Sequence, residues 1–223
     1  MISFDSAWEE LFQKRDWGEY PSEEVIRFVA RNFYEKNQAE VRLLDMGCGT
    51  GAVTWFMARE GFDVYAFDGS ETAVRKARQR MRTEGVNAKI TVSDAASFPY
   101  PDTFFDGIVD SAMLYANRID SITVILRECF RTLKAGGKFF STGLFNRNMT
   151  GYGTGERLEE NTYRDIAEGN LAGRGTVHFF AEAELSMLWT AAGFKNISID
   201  SLERTADGGK SSTCYYMVES EKN

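Results

Sequence analysis

The sequence predicts an α/β protein with a doubly wound, Rossmann-like sheet of seven strands. Between residues 41 and 142, short apolar runs typical of strands alternate with amphipathic helical patterns, which favours a mainly parallel sheet. The last two strand patterns, residues 196–204 and 212–219, are separated by a turn containing Asp207-Gly208-Gly209. They predict a C-terminal antiparallel hairpin strand. No linker or repeat interrupts the pattern, so residues 1–223 are expected to form a single domain.

The order of the elements follows from their local patterns. The first long helix is expected to begin near Pro21, where Ser22-Glu23-Glu24 suits a helix N-terminus, and to bury Val25, Ile26, Val29 and Phe33. The remaining helices are predicted from Gly51, at 70–84, at 119–133 and at 182–192. The first five strands are predicted at 41–46, 63–67, 89–92, 105–110 and 138–142.

Two segments depart from this alternation. Residues 144–180 are rich in Gly, Asn and Arg, and we interpret them as a substrate-side insertion over one edge of the sheet, with a short helix near 160–168. Residues 1–40 are expected to form an N-terminal helical lid.

Composition excludes several classes of function. A formal net charge of −7 argues against a broad basic surface for nucleic acid. No apolar run is long enough to span a bilayer and no signal peptide is visible, so a cytoplasmic protein without a membrane partner is expected. Three scattered cysteines and one histidine disfavour a metal site.

A glycine-rich loop directly follows the first predicted strand. It runs through Asp45, Gly47, Cys48, Gly49 and Gly51, and glycines there let the backbone approach a ligand closely. In a doubly wound sheet, ligands bind beyond the carboxyl ends of the strands. By itself the loop also fits the pattern of a dinucleotide site.

Further polar residues end the next strands. Asp68, followed by Gly69, lies 23 positions after Asp45, where a carboxylate can accept both hydroxyls of a ribose; the alternative is that Asp68 only caps the next helix. Asp94 and the N–H of Ala95 could accept and donate hydrogen bonds at an adenine. Asp110 ends the fourth predicted strand.

Taken together, these motifs resemble the class I S-adenosylmethionine-dependent methyltransferases over residues 41–142. The resemblance implies that Asp45 and the glycine loop hold the methionine part of the cofactor, that Asp68 binds its ribose, that Asp94 and Ala95 bind its adenine, and that backbone near Asp110 receives its ammonium group. It also implies S-adenosylhomocysteine as product. The motifs of DNA-methylating and magnesium-dependent catechol enzymes are absent, which favours a small-molecule acceptor.

Several residues are candidates for the acceptor side. His178 lies in a segment that resembles the His-Phe-Phe entry to a late helix in small-molecule members, where it could act as a general base or only pin the loop. Arg147 and Arg174 could capture an anionic acceptor, such as a carboxylic acid or a phosphorylated sugar, or could pair with nearby acids. Tyr20 and Tyr115, with Trp17, could face a sulfonium or simply pack.

Two other functions stay open on the sequence alone. An NAD-dependent oxidoreductase would use a similar loop, but the Tyr-x-x-x-Lys of short-chain dehydrogenases is missing. A non-catalytic module that only holds the cofactor has no sequence feature that would reveal it.

Overall fold

The computed structural model describes residues 3–15 and 17–223, and within them a seven-stranded sheet organises the chain. The strands are β1 Arg42–Met46, β2 Asp63–Asp68, β3 Lys89–Val92, β4 Phe105–Ser111, β5 Leu133–Phe145, β6 Glu156–Glu159, β7 Thr162–Arg164, β8 Thr176–His178, β9 Lys195–Ala206 and β10 Ser211–Glu221. The order in the large sheet is β3-β2-β1-β4-β5-β10-β9, with β1 to β5 parallel and β10 antiparallel to both neighbours. The predicted fold class is confirmed.

Helices cover both faces of this sheet. They are α1 Ala7–Lys14, α2 Glu23–Phe33, α3 Ala52–Arg59, α4 Glu71–Glu84, α5 Ile119–Thr132 and α6 Glu182–Ala192. Successive residues of a strand point to opposite faces. Accordingly, Leu43 of β1 packs in the core that includes α2, α3 and α4, whereas Leu44 packs in the core that includes α5 and α6.

The position of β1 fixes where a ligand can bind. Its register pairs Asp45 with Ala66 of β2 on one side and with Val109 of β4 on the other. The chain order therefore reverses at β1, and a crevice opens beyond the carboxyl ends of β1 and β4 at such a point. The glycine-rich loop begins one residue after β1 ends, directly at this crevice.

Helix α2 differs from the prediction in one buried position. Val25, Phe28, Val29 and Phe33 are buried, and this i, i+3, i+4, i+8 spacing defines a single face. Ile26 lies about 100° around the helix from Val25 and is 38% exposed. The prediction that Ile26 is buried was wrong because Phe28 belongs to that face instead.

The insertion is built from strands and not from a helix. Strands β6, β7 and β8 form a small antiparallel sheet, so the predicted helix at residues 160–168 is wrong. Asn161 and Asp165 have φ angles of +56° and +55°, in the left-handed region that a right-handed helix cannot include. Among the described helices, none combines the length and hydropathy needed to cross a membrane.

Candidate cofactor and acceptor site

The glycine-rich loop folds tightly against the ends of two other strands. Gly47 has a φ of +68°, and a Cβ placed there would lie 2.4 Å from Cγ of Met113. The Cys48 N–H donates to the carbonyl of Phe67 at 2.9 Å, which ties the loop to the end of β2. A larger residue than glycine would therefore push the loop away from Met113 and from the crevice.

Three buried carboxylates end neighbouring strands next to this loop. Asp45 ends β1 and accepts a hydrogen bond from the Thr54 hydroxyl of α3. Asp110 lies in β4 and accepts hydrogen bonds from the Ser141 hydroxyl at 2.6 Å and the Met113 N–H at 2.8 Å. The Asp110 side chain therefore fixes the turn after β4, and residues 111–113 of that turn line the pocket.

Asp68 joins the glycine loop to the end of β2. Its two carboxylate oxygens accept the N–H of Gly49 at 2.9 Å and the N–H of Ser70 at 2.8 Å. The cap of α4 is a different residue, because the Ser70 hydroxyl accepts the Ala73 N–H at 3.0 Å. Asp68 is thus free of the capping role and lines the pocket.

Burial makes these carboxylates costly to ionise. Removal from water, together with the nearby charges of Asp68 and Asp110, raises the pKa of Asp45 to about 7. Burial likewise raises the pKa of Asp68 and that of Asp110 to about 6. Within residues 3–15 and 17–223 no lysine or arginine forms an ion pair with any of the three. A positively charged ligand would supply the missing compensation.

The expected adenine region is covered by the N-terminal segment. Asp94 accepts the Ser3 N–H and the Ser3 hydroxyl, each at 2.7 Å, and also the Ala96 N–H at 2.8 Å. The ring of Phe4 lies against Gly69, where an added Cβ would meet a ring carbon at 2.3 Å. Ala95 and Gly69 line the pocket, so residues from the ends of both β2 and β3 border the expected adenine position.

Comparison with known proteins identifies the family. A family model described as a methyltransferase domain matches residues 43–137, which contain the glycine loop and all four of these aspartates. Residues 43–137 are thus a methyltransferase domain, and the match supports the class I S-adenosylmethionine-dependent methyltransferase superfamily that the sequence motifs indicate. For this domain it also supports the predicted enzyme class, a methyltransferase, and the predicted cofactor, S-adenosylmethionine.

Relatives of this methyltransferase domain differ in what they act on. It is 27% identical over 175 residues to the tRNA N(3)-cytidine methyltransferase METTL2 of Gallus gallus, covering 74% of this chain and 45% of that protein. It is 29% identical over 182 residues to the ubiquinone/menaquinone biosynthesis C-methyltransferase UbiE of Yersinia pestis, covering 72% of this chain and 69% of that protein. The chain spans about half the length of the tRNA-modifying relatives that it matches.

A solved structure has the same fold. An S-adenosylmethionine-dependent methyltransferase from Methanosarcina mazei superposes with a TM-score of 0.73 at 24% identity, covering 87% of this chain and 96% of that one.

The cofactor fits this site on physical grounds. Asp45 and Asp68 place buried carboxylates in the pocket that no lysine or arginine of the described residues pairs with, and S-adenosylmethionine carries a sulfonium and an ammonium group. The glycine loop leaves room that a Cβ would remove. Asp45 and residues 47–49 would hold the methionine part, Asp68 the ribose, and Gly69 with Ala95 the adenine. Gly51 contributes indirectly, as the N-cap of α3 with a φ of +89°.

The pocket continues beyond the cofactor residues into an aromatic compartment. Trp8 lies at its centre, with its ring centroid 5.6 Å from that of Trp17 and 6.3 Å from that of Tyr115. The Arg174 guanidinium lies 5.1 Å from the Trp17 ring centroid, and its Nη1 donates to the Tyr115 hydroxyl at 3.3 Å. Tyr20 is 73% exposed at the outer rim, packed edge-on against Trp55.

Two candidates from the sequence lie away from this pocket. His178 is 1% exposed, and its ring nitrogens contact the Thr162 hydroxyl at 2.7 Å and a Glu184 carboxylate oxygen at 3.1 Å. Arg147 is exposed on the insertion. Neither residue lines the pocket. The geometry therefore gives His178 a role in holding β8, β7 and α6 together, whereas a role in catalysis stays an untested prediction.

The sequence reasoning predicted a lid over residues 1–40 but missed helix α1 as a wall of the site. Helix α1 is fastened to α4 by Glu9, whose carboxylate accepts hydrogen bonds from the hydroxyls of Ser70 and Thr72. These bonds lower the pKa of Glu9 to about 2. The signal that could have found α1 is the i, i+4 spacing of Trp8 and Phe12, which both line the pocket.

Proposed function

We propose that this protein transfers the methyl group of S-adenosylmethionine to a small-molecule acceptor bound in the aromatic compartment. The observation that carries the proposal is the continuity of one pocket. It runs from Asp45 and Asp68, which suit the cofactor, to Trp8 and Tyr115, which suit an apolar or planar acceptor.

The bound cofactor supplies an electrophilic methyl group and a neutral leaving group, so the protein's share is alignment and electrostatics. The glycine loop and Asp68 fix one reactant at the crevice of the sheet. Trp8, Trp17 and Tyr115 exclude water from the neighbouring space and hold the acceptor by its apolar faces. Residues 1–40, for which we propose the role of a lid, contribute Trp8 and Trp17 to this wall.

A small acceptor is favoured over RNA by the charge of the pocket. Among its described lining residues Arg174 is the single lysine or arginine, whereas Asp5, Asp45 and Asp68 are acidic. The whole chain carries a formal net charge of −7. Binding of an RNA backbone draws mainly on several lysines and arginines that neutralise phosphates. The charge of the pocket therefore favours a substrate of the kind named for the ubiquinone-biosynthesis relatives over tRNA.

Transfer of label from methyl-labelled S-adenosylmethionine tests the proposal. The protein is incubated with a deproteinised small-molecule extract or with total tRNA, and each fraction is counted. We expect label in the small-molecule fraction. It should be lost in Asp68→Ala and retained in Asp63→Ala, which removes a half-buried carboxylate, paired with Lys89, from the opposite end of β2.

Two outcomes would overturn this proposal. Label in tRNA alone would replace the small-molecule acceptor with RNA. Tight binding of S-adenosylhomocysteine with no label in either fraction would favour a non-catalytic module, and binding of NADH in its place would favour an oxidoreductase.

A further inference from the structure

The aromatic compartment contains an arginine without an acidic partner. Four arginines lie in the insertion, and three of them, Arg147, Arg157 and Arg164, are exposed. Arg174 instead is half-buried and lines the pocket. Within the described part of the chain no carboxylate forms an ion pair with it. Among the described residues its charge is thus met by the Trp17 ring and the Tyr115 hydroxyl, and not by a carboxylate.

Hydrogen-bond donors without acceptors gather around this arginine. Nε of Arg174 and Nε1 of Trp8 are both buried with no partner. The Tyr115 hydroxyl accepts from Arg174, but its own proton has no acceptor in the described residues. Buried donors normally have acceptors, so three such groups on one pocket wall point to a ligand that supplies them.

Asp5, a carboxylate beside Gly175, does not fill this role. Asp5 lies close to the same loop, but its oxygens accept the N–H and the hydroxyl of Thr176, at 3.0 and 2.9 Å, and the Ala7 N–H at 3.0 Å. These contacts hold residues 174–176 against the start of α1. Asp5 therefore fixes the backbone beside Arg174 and leaves the guanidinium available to other hydrogen-bond acceptors.

We infer that Arg174, together with the Tyr115 hydroxyl, binds an oxyanion of the methyl acceptor, and that the acceptor is a planar aromatic acid. A guanidinium and a hydroxyl donor match the two oxygens of a carboxylate. The rings of Trp8 and Trp17 offer flat apolar surfaces beside the anion site. This inference rests on the proposed function, because it assigns the chemical class of the acceptor at the same site.

Binding of simple probes to the protein saturated with S-adenosylhomocysteine tests the inference without any turnover. The probes are benzoate, the uncharged benzamide, acetate, which lacks the ring, and phenyl phosphate, and affinities are measured by ligand-observed NMR titration. We expect benzoate to bind at least tenfold more tightly than benzamide or acetate. The phenyl phosphate arm decides whether the site takes a carboxylate or a phosphate.

Variants separate the anion site from general damage. Arg174→Gln should remove the preference for benzoate over benzamide, while the affinity for S-adenosylhomocysteine changes less than twofold. Arg174→Lys should restore only part of the preference, because an ammonium cannot match a carboxylate with two parallel bonds. Arg157→Gln removes an exposed arginine of the same insertion and should leave all affinities unchanged.

Equal affinities for benzoate and benzamide, or an unchanged preference in Arg174→Gln, would overturn the inference. Because the readout is binding, its failure is distinct from failure of the proposed function. An Arg174-dependent benzoate site in a protein that transfers no label would leave the anion site standing and refute only methyl transfer.

Discussion

The amide and the hydroxyl of Ser3 both donate to the carboxylate of Asp94, each at 2.7 Å. Asp94 is the residue that the sequence assigns to the adenine of the cofactor. With the N–H groups of Phe4 and Ala96, Asp94 accepts four hydrogen bonds, about as many as a carboxylate has lone-pair sites, so none is left for an adenine amino group. The N-terminal segment therefore occupies the Asp94 carboxylate, a hydrogen-bond acceptor that the adenine of the cofactor is expected to need.

Removal of the Ser3 hydroxyl is expected to favour cofactor binding. Ser3→Ala deletes one of the competing hydrogen bonds, and the affinity for S-adenosylhomocysteine should rise about two- to tenfold, the equivalent of one such bond. Isothermal titration calorimetry measures the change. Ser6→Ala is the matched control, because Ser6 is exposed and its side chain makes no cap hydrogen bond to α1. A weaker affinity in Ser3→Ala would show that Ser3 belongs to the bound site.

The affinity for S-adenosylmethionine is expected to rise with pH. Burial raises the pKa of Asp45 to about 7 and that of Asp68 to about 6, and a cationic ligand prefers the ionised carboxylates. Binding therefore displaces protons below pH 7, and the affinity should increase about tenfold from pH 5.5 to pH 8. In Asp45→Asn the upper part of this rise should disappear. A pH-independent affinity in the parent protein would contradict the proposed electrostatics.

The same carboxylates give the ligand-free protein an unusual pH dependence of stability. Their pKa values are higher in the folded chain than in the unfolded chain, so the folded state binds more protons between about pH 4 and pH 7. Their contribution to the free energy of unfolding is therefore largest at low pH and is lost as pH rises through 6 to 7. Urea unfolding at pH 5 and pH 8 measures it, and saturating S-adenosylmethionine should stabilise the protein more at pH 8.

Replacement of His178 is expected to lower stability more than turnover. His178→Ala removes buried contacts to Thr162 and Glu184 and leaves a cavity, at a cost of about 2–4 kcal/mol in the free energy of unfolding. Thermal unfolding and kcat, measured well below the unfolding temperature, separate the two effects. Thr162→Val removes one partner and should lower stability in the same direction with normal kcat. A large loss of kcat in His178→Ala but not in Thr162→Val would restore the general-base role.

Substitution of Gly47 tests whether the glycine-rich loop needs its close approach to Met113. In Gly47→Ala the new Cβ needs Met113 to move as well as a positive φ, so both stability and cofactor affinity should fall. Gly85→Ala is the matched control, because Gly85 has a φ of +67° but nothing within 4 Å of an added Cβ. It should lose about 1–2 kcal/mol of stability from backbone strain and keep the parent affinity.

The parts of the site that come from strand ends could be predicted from the sequence. Asp45 and Asp68 each follow an apolar strand, and parallel strands bring their carboxyl ends to one edge whatever the rest of the chain does. Local spacing carries no such information for Arg174 and Arg147, which both lie in the insertion. Only the packing of residues 174–176 against Asp5, 171 positions away, turns one toward the pocket, while the other is exposed.

The N-terminal segment could not be predicted for a related reason. Helix α1 has eight residues, too few for a strong periodic signal. Its position depends on Glu9 contacting Ser70 and Thr72 and on Ser3 contacting Asp94, and all these partners lie more than sixty positions away. The prediction of a helical lid over residues 1–40 gave none of these contacts.

One continuous stretch of chain, from Ser3 to Glu9, is fastened to the adenine side through Asp94 and to the acceptor side through Thr176. The same segment thus covers both compartments. Its displacement, to release S-adenosylhomocysteine, would also break the contacts that hold residues 174–176 beside the methyl acceptor. We expect the enzyme to be distributive: an acceptor with several methylation sites should leave after each methyl group, and singly methylated product should accumulate before any further modification.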